Sequence, residues 1–347
     1  MTTHDVFRIN REHFMVKEAL VVIAAILIGA LVEALLGEVA IYAVAAAYFV
    51  SRVGVHERGR QRWLYMLVAT VVGVALSALA VLVGDDTLRA VLLWSGTIYV
   101  AGLALAYGRS AFYAGYFLVF WVLFAMLTAS RSPGEEIDYA TSFLLGGIIA
   151  VVFIAISVRF GWIDETDIEP ASTPTPTLKQ AAQSDIGVFA MLWAFTMAIA
   201  IAIGYTFFSV EPFWVASTLL VVMQPDVAKG VKTGIQRGIG SATGGMLALT
   251  LVAMFPEFAT SDLFVLYFFA TTALCVVFYK ANYMIYAFFM TQAVVAYYGF
   301  AVDDFTEAGG QRMLGVLLGV VIGLIGLGLQ HLLLESRHQR APESALR

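Results

Sequence analysis

The chain has 347 residues, of which 61% are hydrophobic and 13% charged, and its mean hydropathy is +0.85. Soluble domains carry about 45–50% apolar and about 25% charged residues, so this composition excludes an ordinary soluble protein and sends the surplus apolar surface into lipid. A net charge of −5 argues against a nucleic-acid partner, and a single cysteine, Cys275, excludes a disulfide scaffold.

Residues 1–18 are polar and read as a cytoplasmic N-terminal segment. Apolar runs follow at 19–36, 39–53, 64–83, 88–107, 111–128, 140–160, 187–207, 212–223, 236–255, 262–279, 283–301 and 312–334. With about 20 residues needed per crossing, these predict about twelve transmembrane helices. Their continuity, in place of alternation, excludes β-barrel strands. The first run is too long for the apolar core of a signal peptide and reads as a retained helix. Residues 161–186 contain the stretch PASTPTPT (170–177) and predict an extended cytoplasmic linker. Residues 335–347 form a cytoplasmic tail.

Orientation follows from the basic residues. With the N-terminus inside, seventeen Lys and Arg fall on the cytoplasmic side, against only Arg89, Arg131 and Arg312 outside. The linker divides the chain into two six-helix halves, 19–160 and 187–334. Shifting the first by 173 residues superposes Glu38 on Glu211 and Thr70 on Thr243, and Ser142, Gly146 and Ala150 on Gly315, Gly319 and Gly323. The expected fold is therefore an all-α polytopic membrane protein of two six-helix repeats, parallel because each has an even number of spans, with both termini cytoplasmic.

Short apolar runs at matching places in two repeats point to a transporter binding site. Residues 39–50 and 212–223 are such a pair, and Tyr42, Tyr48, Trp214 and Thr218 within them are candidates to line a cavity. The alternative is that each helix continues through its polar flank, Ser51–Val55 or Gln224–Ala228. Pro225 interrupts helix after Gln224, which leaves Gln224 and Asp226 beside a break or serving as a plain helix end with its cap. Glu33 is the acid inside an apolar run, either a proton-coupling carboxylate or one that reaches the headgroups. Arg312 opens the last helix as an anion attractor or an interfacial anchor. Gln292 and Thr291 lie inside the eleventh run. Gly238, Gly240, Gly244 and Gly245, like Gly315, Gly319 and Gly323, read as packing ridges. The loops Arg52–Arg62 and Lys229–Arg237 form a basic cytoplasmic face that concentrates anions. Walker A, HExxH and GxSxG motifs are absent from the sequence, and none of the five histidines has metal-ligand spacing, so neither an enzyme nor a cofactor is expected.

The segment Glu211–Gly245 resembles the fusaric-acid-resistance family of membrane transporters. The residues that carry the resemblance are Phe213, Trp214, Thr218, Gln224, Pro225, Asp226, Arg237, Gly240, Thr243 and Gly244. Asn282-Tyr283 with Thr291, and Arg312 with Gly315, are similar as well. The resemblance covers roughly 187–334 and lacks the large cytoplasmic regions of longer members. It implies export of small aromatic carboxylates across a bacterial inner membrane, with Arg237, Asn282 and Arg312 joining the candidate substrate-binding set. Plant aluminium-activated malate channels are similar too. The expected function is thus potential- or proton-driven efflux of small organic anions. The alternatives are an anion channel and a non-transporting membrane assembly partner, and a homodimer is open in each case.

Overall fold

The computed structural model describes residues 9, 14, 16, 19–20, 23, 38–55, 59–83, 86–129, 136–161, 176–208, 213–255, 257–258, 261–301 and 305–340. Among these residues the regular structure is helical throughout. The helices are α1 (Glu38–Val55), α2 (Gly59–Val83), α3 (Thr87–Ala104), α4 (Arg109–Ala129), α5 (Glu136–Arg159), α6 (Leu178–Gln183), α7 (Asp185–Phe207), α8 (Phe213–Val222), α9 (Val227–Met254), α10 (Asp262–Phe278), α11 (Tyr283–Ala301) and α12 (Phe305–Arg340). Eleven of the twelve expected runs coincide with a helix. The first, 19–36, lies outside the described residues except for 19, 20 and 23, and so does Glu33.

Among the described residues, five stretches are long and apolar enough to cross a bilayer: Gly59–Val83, Thr87–Tyr107, Tyr139–Arg159, Asp185–Phe207 and Thr306–Gln339. Shorter apolar helices accompany them. Side-chain distribution shows which solvent they meet. On α5, Leu144, Leu145, Ile148, Ile149, Val152 and Phe153 are exposed, while Ser142, Gly146, Gly147 and Ser157 are buried. On α9, Gln236, Arg237, Gly240, Ser241 and Gly244 are buried, while Ile239, Met246 and Leu247 are exposed. Large apolar groups outside and small or polar groups inside is the arrangement that a hydrocarbon solvent selects.

Contacts divide the chain into two compact units. One comprises Met1–Ile28 and Ile203–His331, the other Gly29–Ala202 and Leu332–Arg347. In place of the linker, the division falls inside α7. The reason is local: Gly102 of α3 has no side chain where Ala190 of α7 packs, and Trp193 of α7 stacks near Phe112 and Tyr116 of α4. The linker is also not extended to its end. Thr177 and Gln180 form a reciprocal cap, with Gln180 Oε1 accepting from Thr177 N at 2.8 Å, and this starts α6. Asp185, at the start of α7, pairs with Arg337 and His338 from the last turns of α12.

Within the unit Gly29–Ala202, α5 lies against α1 and α2. A Cβ at Gly146 would strike the backbone of Ala43 and Ala47, and one at Gly147 would strike Thr70. Trp121 Nε1 donates to Ser77 Oγ at 2.6 Å, and Ser77 donates to the Gly73 carbonyl at 2.7 Å, so the buried polar groups of α2 and α4 satisfy each other. Arg62, 1% exposed, donates from Nε to the Gly54 carbonyl at 2.9 Å and so closes the C-terminal end of α1.

α1 and α8 resolve the short-run question differently. Helix α1 continues through Ser51–Val55 to 18 residues, about 27 Å at 1.5 Å per residue. Helix α8 stops at Val222 after 10 residues, about 15 Å, or half of a hydrocarbon core. Pro225 makes the difference, since its counterpart 173 residues earlier is Arg52, which keeps its backbone N–H.

Candidate functional site

The candidate site lies in the unit Ile203–His331 and is built from α8 to α12. Matching residues give the directions of these helices. Gly315, Gly319 and Gly323 of α12 meet Trp214, Val215 and Val222 of α8 in the same order, so α8 and α12 run parallel. Gly230, Gly234 and Gly238 of α9 meet Leu327, Leu324 and Val320 in reverse order, so α9 runs antiparallel to α12. Gly240 and Gly244 abut the Met284 and Phe288 carbonyls, which sets α9 parallel to α11. Alternating direction from α8 onward is what successive membrane crossings require.

Two arginines lie inside this unit. Arg237 is 2% exposed and Arg312 is fully buried. Arg312 stacks on the indole of Trp214, with its guanidinium carbon 3.6 Å from the ring centroid. Gly315, one turn further along α12, permits this approach, because a Cβ there would come within 2.9 Å of Trp214 Cβ. Phe213 supports the indole at a ring separation of 4.2 Å. A desolvated cation over an indole face gains about 2 kcal/mol.

Arg237 has softer company. Its Nη1 donates to the Met290 sulfur at 3.2 Å, its guanidinium also bonds the Tyr283 side chain, and its buried Nε has no hydrogen-bond partner. A thioether is a weak acceptor. Every one of these partners is neutral. Cys275 of α10 lies within electrostatic reach of both arginines, and Tyr286 lies within reach of Arg237. Ser241, one turn beyond Arg237, is fully buried with an unpartnered hydroxyl. A buried arginine such as Arg237, bonded to a thioether and a phenol, forms an environment that attracts an anion carrying apolar surface.

The remaining expected site residues take other places. Gln292, 2% exposed, accepts from the Tyr267 hydroxyl at 2.8 Å and ties α10 to α11. Thr218 is fully buried beneath Gly319, and its hydroxyl is without a partner. Asn282 caps α11, with Oδ1 accepting from Met284 N at 2.9 Å and Ile285 N at 3.1 Å. Asp226 caps α9 by accepting from Lys229 N at 3.1 Å. Gln224 donates to the Val221 carbonyl at 3.0 Å and lies 3.4 Å from Thr233 Oγ1. The Pro225 carbonyl that the break releases is taken by Gln330 Nε2 at 3.0 Å. Tyr42 packs on Tyr139 with ring centroids 4.8 Å apart, and Tyr48 is 60% exposed; both belong to the other unit.

Sequence reasoning singled out Trp214, Arg237 and Arg312, noted Tyr283 only within the family resemblance, and missed the neighbours Met290 and Cys275. The available signal is spacing: Tyr283, Tyr286 and Met290 recur at i, i+3 and i+7, one face of α11.

Residues 188–326 match the family described as fusaric acid resistance protein-like. No curated protein and no solved structure matches the chain. The matched stretch contains α8 to α11 whole, with Arg237, Arg312 and all their named neighbours. The chain is a multi-pass membrane protein whose residues 188–326 are similar to the fusaric acid resistance protein-like family.

Proposed function

We propose that this protein exports small organic anions, aromatic carboxylates foremost, across a bacterial inner membrane. The observation that carries the reading is Arg237, a buried guanidinium whose partners are a thioether and a phenol. Buried ionisable groups in membrane helices mark substrate pathways, and an uncompensated cation selects anions. The family description, fusaric acid resistance, supports efflux of an aromatic carboxylate. Anions gather at the basic face around Lys229 and Lys232 and pass the interrupted segment between α8 and α9. An anion that leaves uncompensated gains about 2.3 kcal/mol per charge per 100 mV from the membrane potential. Glu33 adds proton coupling where flux also responds to pH.

The two halves read as repeats of one design. In support, Gly146 and Gly319, 173 residues apart, both take their helix against the backbone of a preceding helix, α1 or α8. The strong bias of Lys and Arg supports a cytoplasmic location for the N- and C-terminal segments and the linker.

Cells producing the protein and loaded with labelled hydroxybenzoate test this reading. Efflux should be faster than in cells with an empty vector, and Arg237→Gln should remove the difference at equal membrane abundance. Equal efflux with and without the protein overturns the assignment.

A further inference from the structure

Arg237 has a consequence for the transport cycle beyond choosing anions. Its described partners are all neutral: Met290 sulfur, the Tyr283 side chain and, by electrostatic reach, Cys275 and Tyr286. The described carboxylates of the same unit are exposed. Asp226 is exposed and caps Lys229, Glu257 is exposed, and Glu307 is exposed and accepts from Gln311 at 2.8 Å. Ser241, also buried and without a hydrogen-bond partner, follows one turn later on α9.

A charge taken out of water without a counter-charge is costly, and the cost falls on whichever state leaves it bare. A thioether and a phenol return little of it. An anion on the free Nε edge returns much more through a charge-assisted hydrogen bond. We propose that Arg237 is a binding site for one small monoanion, chloride or a carboxylate, that must stay filled while the protein changes conformation. The inference rests on the transport reading above and specifies its mode. Because the filled site is the one that can reorient, the protein exchanges one anion for another across the membrane and does not return empty.

Counterflow in proteoliposomes is the test, with the membrane potential clamped at zero. Labelled benzoate is supplied outside, and vesicles are loaded with benzoate, chloride or gluconate, the last a larger and more strongly hydrated anion. Uptake should be about tenfold faster into benzoate- or chloride-loaded vesicles than into gluconate-loaded ones. Arg237→Lys, which keeps the charge, should keep the dependence on internal anion, and Arg237→Gln should lose uptake. In detergent, chloride in place of gluconate should raise the Tm of the wild type and of Arg237→Lys but not of Arg237→Gln. Benzoate uptake indifferent to the internal anion overturns exchange. A Tm indifferent to chloride overturns the site. No uptake under any loading, with the chloride effect on Tm intact, overturns the transport reading and exchange with it, while Arg237 stands as an anion site.

Discussion

At the residue scale, the two buried arginines solve the same electrostatic problem in different ways. Arg312 sits over the ring of Trp214, so part of its charge is answered by a ring face. Trp214→Leu removes that answer and should destabilise the protein by about 2 kcal/mol, while Trp214→Phe keeps a weaker ring face and should lose less. Denaturant unfolding in detergent checks the order. Both arginines were legible in the sequence, because a cation near or within an apolar run is conspicuous. Their surroundings were not. Tyr283 and Met290 are ordinary membrane-helix residues until α9 and α11 meet at Gly240 and Gly244. Gln224, Asp226 and Asn282 show the opposite case. Residue types that bind ligands also cap helices, and here each of the three makes a local hydrogen bond to the backbone.

At the element scale, close approach controls the packing. A Cβ at Gly244 would strike the Phe288 carbonyl, whereas one at Gly238 would rest 3.6 Å from Val320 in ordinary contact. Gly244→Ala should therefore cost about 1–3 kcal/mol by forcing α9 from α11, and Gly238→Ala should be close to neutral. Thermal unfolding of the two variants side by side separates these outcomes. The glycine ridges were visible in the sequence as every-fourth-residue patterns, although which helix each ridge faces required the structure. The same limit applied to the short runs. Two similar apolar segments predicted two similar helices, and Pro225, without a counterpart in the first half, separates α8 from α1.

At the scale of the whole molecule, helix positions were the most legible feature, because a hydrocarbon solvent demands long apolar runs and tolerates few exceptions. The division into units was less so. The linker marked a boundary by composition, but Gly102 and Trp193 draw most of α7 to the first half. Orientation makes a separate prediction. In a Cys275→Ser background, a membrane-impermeant thiol reagent should label Arg89→Cys on intact cells and Lys179→Cys only after permeabilisation. Both positions are exposed, so a failure to label is informative. The reverse pattern inverts the basic face and the direction of transport.

The central claim is that a buried, neutral-partnered guanidinium carries organic anions through this membrane protein. Efflux of labelled hydroxybenzoate from proteoliposomes, with a potential and a pH gradient imposed separately, tests it most directly. The account predicts saturable efflux that requires a counter-anion outside, lost in Arg237→Gln and kept in Arg237→Lys. Efflux that is the same in wild type and Arg237→Gln, or absent under both gradients, contradicts it.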